Sequence, residues 1–255
     1  MVVGIIQARM GSTRFPGKTL IPINGEPMLQ MMLRRVARSR RLDRYLVATT
    51  DSPADEPIVA CCRTVNVEVF RGSDTDVLDR YYRAACAAGA QVVVRLTADC
   101  PLIDWRVIDD VVEVFQDGTY DYVSNAAPPP SSYPDGMDVE VISMDVLTRA
   151  WATAVKPSER EHVTFCLWQH PETFRIRRVD ASPDRSAYRL TVDRQEDLAV
   201  VEGVVRALGP QAEDASLDEL VTCLQTHPEL LARNQHIPRN EGWQSAFALD
   251  RLAGW

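Results

Sequence analysis

Lysine is almost missing from this chain: of its 255 residues only Lys18 and Lys156 are lysines, and the other basic side chains that make up its 28 Lys and Arg are all arginine. With 36 Asp and Glu, the formal net charge is -8, which excludes a broad footprint on a nucleic-acid backbone. Any anion site must therefore be local. None of the six cysteines stands in a C-x-x-C pair or at metal-like spacing, so a cysteine metal site is excluded and buried thiols of a reducing compartment are expected. Long apolar runs are missing too. Val2 to Ile6 is too short for the apolar region of a signal peptide, and no stretch approaches a membrane span, so the reading is cytoplasmic. Internal repeats and low-complexity segments are also absent.

What is there is ordinary globular composition, 45% hydrophobic and 25% charged, at a length that suits one large α/β domain. Val2-Val3-Gly4-Ile5-Ile6 is a continuous, largely β-branched run, as in a strand buried on both faces of a parallel sheet. Strand and helix patterns then alternate. A helix is predicted from Pro27 at its first position, then strand Tyr45 to Thr49, helix Asp55 to Thr64, strand Val67 to Phe70, helix Asp76 to Ala88, strand Val92 to Leu96 and helix Val107 to Phe115. That alternation predicts βαβ units and a mainly parallel sheet, with ligands at the strands' carboxyl ends. Further on, Tyr120 to Ser124 and Met137 to Ile142 read as strands joined across a Pro-rich turn, and Phe174 to Val179 and Tyr188 to Val192 as two more. Helices follow at Glu196 to Ala207, Leu217 to Leu224 and Glu229 to Arg233.

The loop after the first strand, Gln7-Ala-Arg-Met-Gly-Ser-Thr-Arg-Phe-Pro-Gly-Lys-Thr19, nearly matches the phosphate loop G-x-x-x-x-G-K-[ST]. The run from Gly11 to Gly17-Lys18-Thr19 is one residue too long, and Pro16 removes an N–H donor on which that cradle depends. Pro22 and the Asn24-Gly25 turn keep a helix from following Lys18 directly. Yet Arg9, Arg14 and Lys18 surround the small residues Ala8, Gly11, Ser12 and Gly17, so backbone N–H groups can approach an anion that three cations enclose. This suits a triphosphate; the plainer alternative is a solvated surface loop.

Two aspartates close apolar strands: Asp99 in Arg95-Leu-Thr-Ala-Asp-Cys-Pro-Leu102, and Asp193 in Thr191-Val192-Asp193. Together they could grip one Mg²⁺, which takes one or two protein carboxylates plus waters and phosphates. Turn or helix-entry roles are the alternative, and they suffice for Glu196 and Asp197. Arg71 and Ser73 in Arg71-Gly-Ser-Asp74 could reach a base or ribose. Asp138 and Glu140, after Tyr133-Pro-Asp-Gly-Met137, share one strand face, as acid–base or polyol-binding carboxylates would and as an exposed face also would. Ser158-Glu-Arg-Glu-His162 reads as a helix start, leaving His162 with either a structural or an acid–base role.

The motifs "IIQARMGSTRFPGK", "VFRGSDTDVLDRYY", "RLTADCPLID", "YDYVSN", "YPDGMDVEV", "SEREHVT" and "LTVDRQEDL", in this order over residues 2 to 208, resemble the sugar cytidylyltransferases. This group contains CMP-Kdo synthetase and acylneuraminate cytidylyltransferase, and the resemblance is closest to the SpsF-like branch of spore-coat polysaccharide biosynthesis. It implies a GT-A-like α/β fold, a three-layer sandwich with a mainly parallel sheet and a small protruding β arm. Residues 1–214 would form the cytidylyltransferase domain, with an acceptor-site and dimer arm near 120–142, and 215–255 a helical extension packed on it. CTP, Mg²⁺ and a homodimer are also implied. By the resemblance, Arg14, Lys18 and Asp99 look catalytic, and Ala8, Arg9, Gly11, Ser12, Thr13, Arg14, Lys18, Arg71, Ser73, Thr97 and Ala98 nucleotide-binding. Asp99 and Asp193 would hold the metal; Tyr133, Asp138, Glu140, Arg160 and His162 would meet the acceptor. Ala98 replaces a usual glycine and Phe165 a common proline. The implied reaction is CMP transfer from CTP to a sugar acid or a phosphoryl- or phosphonate-type acceptor, with pyrophosphate released. A nucleotide-sugar-dependent glycosyltransferase and a non-catalytic nucleotide-binding protein are the alternatives.

Overall fold

Val2–Gln7 forms strand β1, and its side chains divide by parity, Val3 and Ile5 entering the core on one face of the sheet and Val2 and Ile6 the core on the other. Both faces are therefore apolar, as the unbroken run requires. The structure, a computed structural model, describes residues 1–255 apart from the side chain of Ser245. After β1 come a single 3₁₀ turn at Lys18–Leu20, a hairpin of β2 (Pro22–Ile23) and β3 (Glu26–Pro27), and helix α1 (Met28–Val36). Pro27 thus lies just before the helix instead of at its first position, with ψ 132°.

β4 (Arg44–Thr50), α2 (Glu56–Thr64), β5 (Glu68–Gly72), α3 (Val77–Ala88), β6 (Val92–Thr97) and α4 (Trp105–Asp117) complete the alternating half. β7 (Tyr122–Ser124), β8 (Glu140–Ser143), α5 (Met144–Thr153), α6 (Pro157–His162), α7 (Phe165–Trp168) and β9 (Ile176–Arg178) follow, then α8 (Gln195–Leu208), α9 (Leu217–Thr226), α10 (Pro228–Asn234) and α11 (Glu241–Leu252). The main sheet has seven strands in the order β5-β4-β1-β6-β8-β7-β9. β1 pairs in parallel with both β4 and β6, while β8 is antiparallel to β6 and β7. The chain runs outward from β1 to β5, then returns to place β6 on β1's other side. Their carboxyl ends therefore flank a topological switch point, where a crevice opens.

Within residues 120–142, β7 and β8 join the main sheet, and the connection between them buries Ala127, Met137 and Val139 because it is mostly small and apolar there. One expectation is corrected. Tyr188 to Val192 is not a strand. It makes one isolated bridge, Asp135 to Arg189, and Val192 N–H donates to the Asp99 carbonyl at 2.8 Å. Its apolar residues Leu190 and Val192 are fully buried without a ladder. No helix is long and apolar enough to cross a membrane.

Candidate active site

The loop after β1 is shaped by Gly17, whose φ of 73° lies in the left-handed region and whose N–H donates to the Met10 carbonyl at 3.0 Å. Thr19 Oγ1 donates to the Arg9 carbonyl at 2.9 Å, and Met10 N–H to Asp55 Oδ1 at 2.8 Å. The loop thus doubles back and carries Lys18 inward, to 9% exposure. There the ammonium donates to Val192 O at 2.7 Å, Asp193 Oδ1 at 2.8 Å and Asp99 Oδ2 at 3.0 Å. All three ammonium protons are used. Arg14 Nη2 reaches the same Asp193 oxygen at 2.9 Å.

Electrostatics within this knot are mutual. Burial opposes charge on Lys18, but the Asp99 and Asp193 carboxylates outweigh it and raise the lysine pKa above its ordinary value. Burial likewise opposes ionisation of Asp193, yet Lys18 and then Arg14 hold its carboxyl well below the usual range. Asp193 is fixed from behind by Arg189, whose Nη2 lies 3.3 Å away and whose Nε donates to Asp197 at 2.8 Å. Asp197 is fully buried and also accepts from the backbone N–H groups of Asp193 and Arg194, so it is the cap of α8 that its sequence position suggests.

Around the knot is a cavity of about 630 Å³. Among the expected nucleotide residues, Ala8, Arg9, Ser12, Thr13, Arg14, Lys18, Thr97 and Ala98 line it, with Asp99 and Asp193 at its floor. Gly11, Arg71 and Ser73 do not. Gly11 is exposed. Arg71 turns away to donate to Thr50 O at 3.1 Å, Ser52 O at 2.9 Å and Glu56 at 2.7 Å, and Ser73 Oγ accepts from Asp76 N–H at 3.0 Å in the turn before α3. Their polar atoms are consumed by local backbone.

A second cavity of about 200 Å³ adjoins the first, sharing Gln7, Arg14, Thr97, Asp99, His162 and Asp193 with it, and it contains Asp138 and Glu140. Glu140 is no exposed strand residue. At 5% exposure it accepts from Arg95, Tyr122 and Thr164, the last at 2.6 Å. Asp138 pairs with Arg239. Burial raises its pKa despite that arginine, and burial with Asp138 nearby pushes Asp135 up to about 7. Burial, then Arg95, pushes the His162 imidazole down to about 3, so it is uncharged and a poor base. Tyr133 and Arg160 stand outside both cavities: Tyr133 is 7% exposed within the core, and Arg160 is spent on Asp76 and on the Trp151 carbonyl at 2.8 Å.

Arg80 joins the site without a sequence expectation. It lines the larger cavity at 1% exposure with its Nε unpartnered. Its signal was there: an arginine amid the apolar stripe Val77, Leu78, Tyr81, Ala84 of α3. Arg9, Arg14, Lys18 and Arg80 make one wall of this crevice cationic, and Asp99 with Asp193 make its floor anionic. That polarity suits a polyphosphate held beside a cation.

The cytidylyltransferase family profile matches residues 3–233 of the chain. The chain belongs to the cytidylyltransferase family. The spore coat polysaccharide biosynthesis protein SpsF of Bacillus subtilis is 34% identical over 89% of this chain and 95% of its own length. A 3-deoxy-manno-octulosonate cytidylyltransferase of Syntrophobacter fumaroxidans is 34% identical over 56% of this chain and 58% of its own. Among solved structures, a cytidylyltransferase of Leptospira borgpetersenii superposes with a TM-score of 0.87 at 31% identity, covering 93% of this chain and 99% of that one. The GT-A-like α/β architecture expected from the motifs is therefore the observed one. Within this family chemistry, the donor set also fits a hard divalent cation: two carboxylates, Asp99 and Asp193, each with an oxygen on the Lys18 ammonium, converge on one point.

Proposed function

We propose that this cytidylyltransferase carries CMP from CTP to a sugar acid or a phosphoryl- or phosphonate-type acceptor, releasing pyrophosphate, with Mg²⁺ as its metal. The observation that carries the reading is the convergence of Lys18, Arg14, Asp99 and Asp193 between the two cavities. The larger cavity would take CTP, its triphosphate against Arg9, Arg14 and Arg80, and the smaller one the acceptor. The shared floor would hold the α-phosphate, within reach of both.

An acceptor oxygen attacks the α-phosphorus as the bond to the α–β bridging oxygen breaks, and that oxygen leaves with pyrophosphate. Catalysis of this kind is mostly positioning and charge neutralisation. Arg14 would face the growing charge on the leaving group. Lys18 keeps Asp193 ionised and holds the Asp99 and Asp193 carboxylates to one point, where they would bind Mg²⁺, which when bound polarises the α-phosphate. An ionised acceptor needs no base. For a hydroxyl acceptor, His162 is too weakly basic, and Asp135 and Asp138, both raised by burial, are carboxylates that line the acceptor cavity. Incubation with CTP, Mg²⁺ and a panel of sugar acids and phosphonates tests the reading: pyrophosphate must appear. Release of nucleoside diphosphate from a nucleotide sugar instead would assign a glycosyltransferase.

A further inference from the structure

We infer that helix α11 (Glu241–Leu252), beyond the family match at residue 233, is the roof of the reaction cleft, with Gly242 and Leu249 setting the room and the contact offered to the nucleotide. The inference rests on reading the larger cavity as the CTP site. Gly242, Ala246 and Leu249 stand on one face of this helix at spacings of four and three, and all three line the larger cavity. The first turn, with Asn240, Glu241, Gly242 and Trp243, also lines the smaller one, so a single element closes both.

The roof is fastened at three places. Arg194, next to Asp193, holds Glu241 at 2.7 and 2.9 Å, and Ser158 N–H donates to Asp250 at 2.9 Å. Just before the helix, Arg239 joins Asp138 to the Tyr133 carbonyl. Beneath the helix, Phe165 packs edge-on to Trp243 at 5.1 Å and stacks on Phe247 at 5.4 Å. Such anchoring places the cavity-facing side chains as part of a wall. Gly242 faces the phosphate loop: a Cβ there would lie 3.7 Å from Arg14 Nη1, ordinary contact for the empty protein, but any longer side chain would enter the space beside that guanidinium. Leu249 is 49% exposed although apolar, and its exposed surface borders the cavity. A bound nucleoside would cover it.

The test is calorimetric titration of CTP with Mg²⁺ into wild-type protein, Gly242→Leu and Leu249→Ala, alongside thermal melting. Gly242→Leu is expected to weaken CTP by about ten-fold or more through overpacking of the occupied cleft. Leu249→Ala should weaken it about five- to ten-fold by removing apolar contact, while melting within about 2 °C of wild type because little of the native core rests on it. If Gly242→Leu fails to fold, Leu249→Ala decides alone. CTP affinity within two-fold of wild type in every folded variant would overturn the roof and leave the proposed reaction standing. A wild type that binds CTP but never releases pyrophosphate would do the reverse.

Discussion

Lys18 Nζ lies 2.8 Å from Asp193 Oδ1 across 175 residues of sequence, and this contact joins the loop after β1 to the segment that leads into α8. The lysine expected to grip phosphate is first of all the cation that brings two acids together. Its burial at 9% exposure makes the knot structural as well as chemical.

Lys18→Ala therefore leaves two half-buried carboxylates facing each other without their shared partner. The expected cost is about 2–4 kcal/mol of folding stability, because removing one partner of a buried ion pair strands the charge that remains. Urea denaturation at neutral pH measures it, and a loss below about 0.5 kcal/mol would make Lys18 a surface lysine in effect.

The pH dependence of the knot follows in sign from its two shifted groups. Asp193 has a folded pKa below its unfolded value, so its stabilisation is present above the unfolded pKa near 4 and is lost as pH falls through the folded one. Lys18 has a raised folded pKa, so its contribution holds below its ordinary 10.5 and is lost as pH rises through the folded value. Because Asp135 acts in the opposite sense, with its carboxyl raised to about 7, whole-protein stability mixes the two. The gap in unfolding free energy between wild type and Asp193→Asn isolates the knot, and it should close steadily as pH falls below about 4.

Asp99→Asn should bind CTP within a few-fold of wild type but turn over slower by about a hundred-fold or more, since neutralising one strand-end carboxylate removes charge from the cation site and not from the phosphate wall. Pyrophosphate release and a CTP titration, run on the same preparation, read the two effects separately. Unimpaired turnover would remove Asp99 from the chemistry.

Arg71→Ala separates geometry from resemblance. Because its guanidinium is spent on the Thr50 and Ser52 carbonyls and on Glu56, CTP affinity should stay within about two-fold, while stability falls by about 1 kcal/mol for the lost hydrogen bonds. A ten-fold weaker CTP complex would show that Arg71 swings onto the nucleotide.

Gly136→Ala tests the close packing of the Tyr133 to Glu140 segment on the backbone that leads to Asp193. Gly136 sits at φ 104°, and a Cβ there would lie 2.4 Å from the Thr191 backbone nitrogen, which cannot move without displacing Asp193. At least about 2 kcal/mol of destabilisation is expected from the backbone conformation alone, visible as a lowered melting temperature.

The alternating half of the fold was legible because its strands are short apolar runs and its helices carry apolar stripes, two periods that do not mimic each other. Tyr188 to Val192 misled for the same reason. Its residues are apolar because they are buried against the Asp99 segment, and burial without a ladder leaves the same pattern as a strand. Within the site, Arg14, Lys18, Asp99 and Asp193 were legible from their places at the ends of apolar runs. Arg80 and Gly242 were not singled out, because one sits inside a helix stripe and the other in a tail with no motif.

By itself, then, the sequence determined a mainly parallel α/β sheet, a cation-rich loop at its ligand edge and two carboxylates that close apolar runs, since periodicity and residue chemistry are local properties that survive in one dimension. Only the tertiary structure decided that Lys18 spends its ammonium on both aspartates, that Arg71 and Arg160 turn away from the cavities, and that α11 lies over them. Those are matters of which partner a charged side chain meets first, and that depends on distances across the fold, which spacing along the chain does not contain.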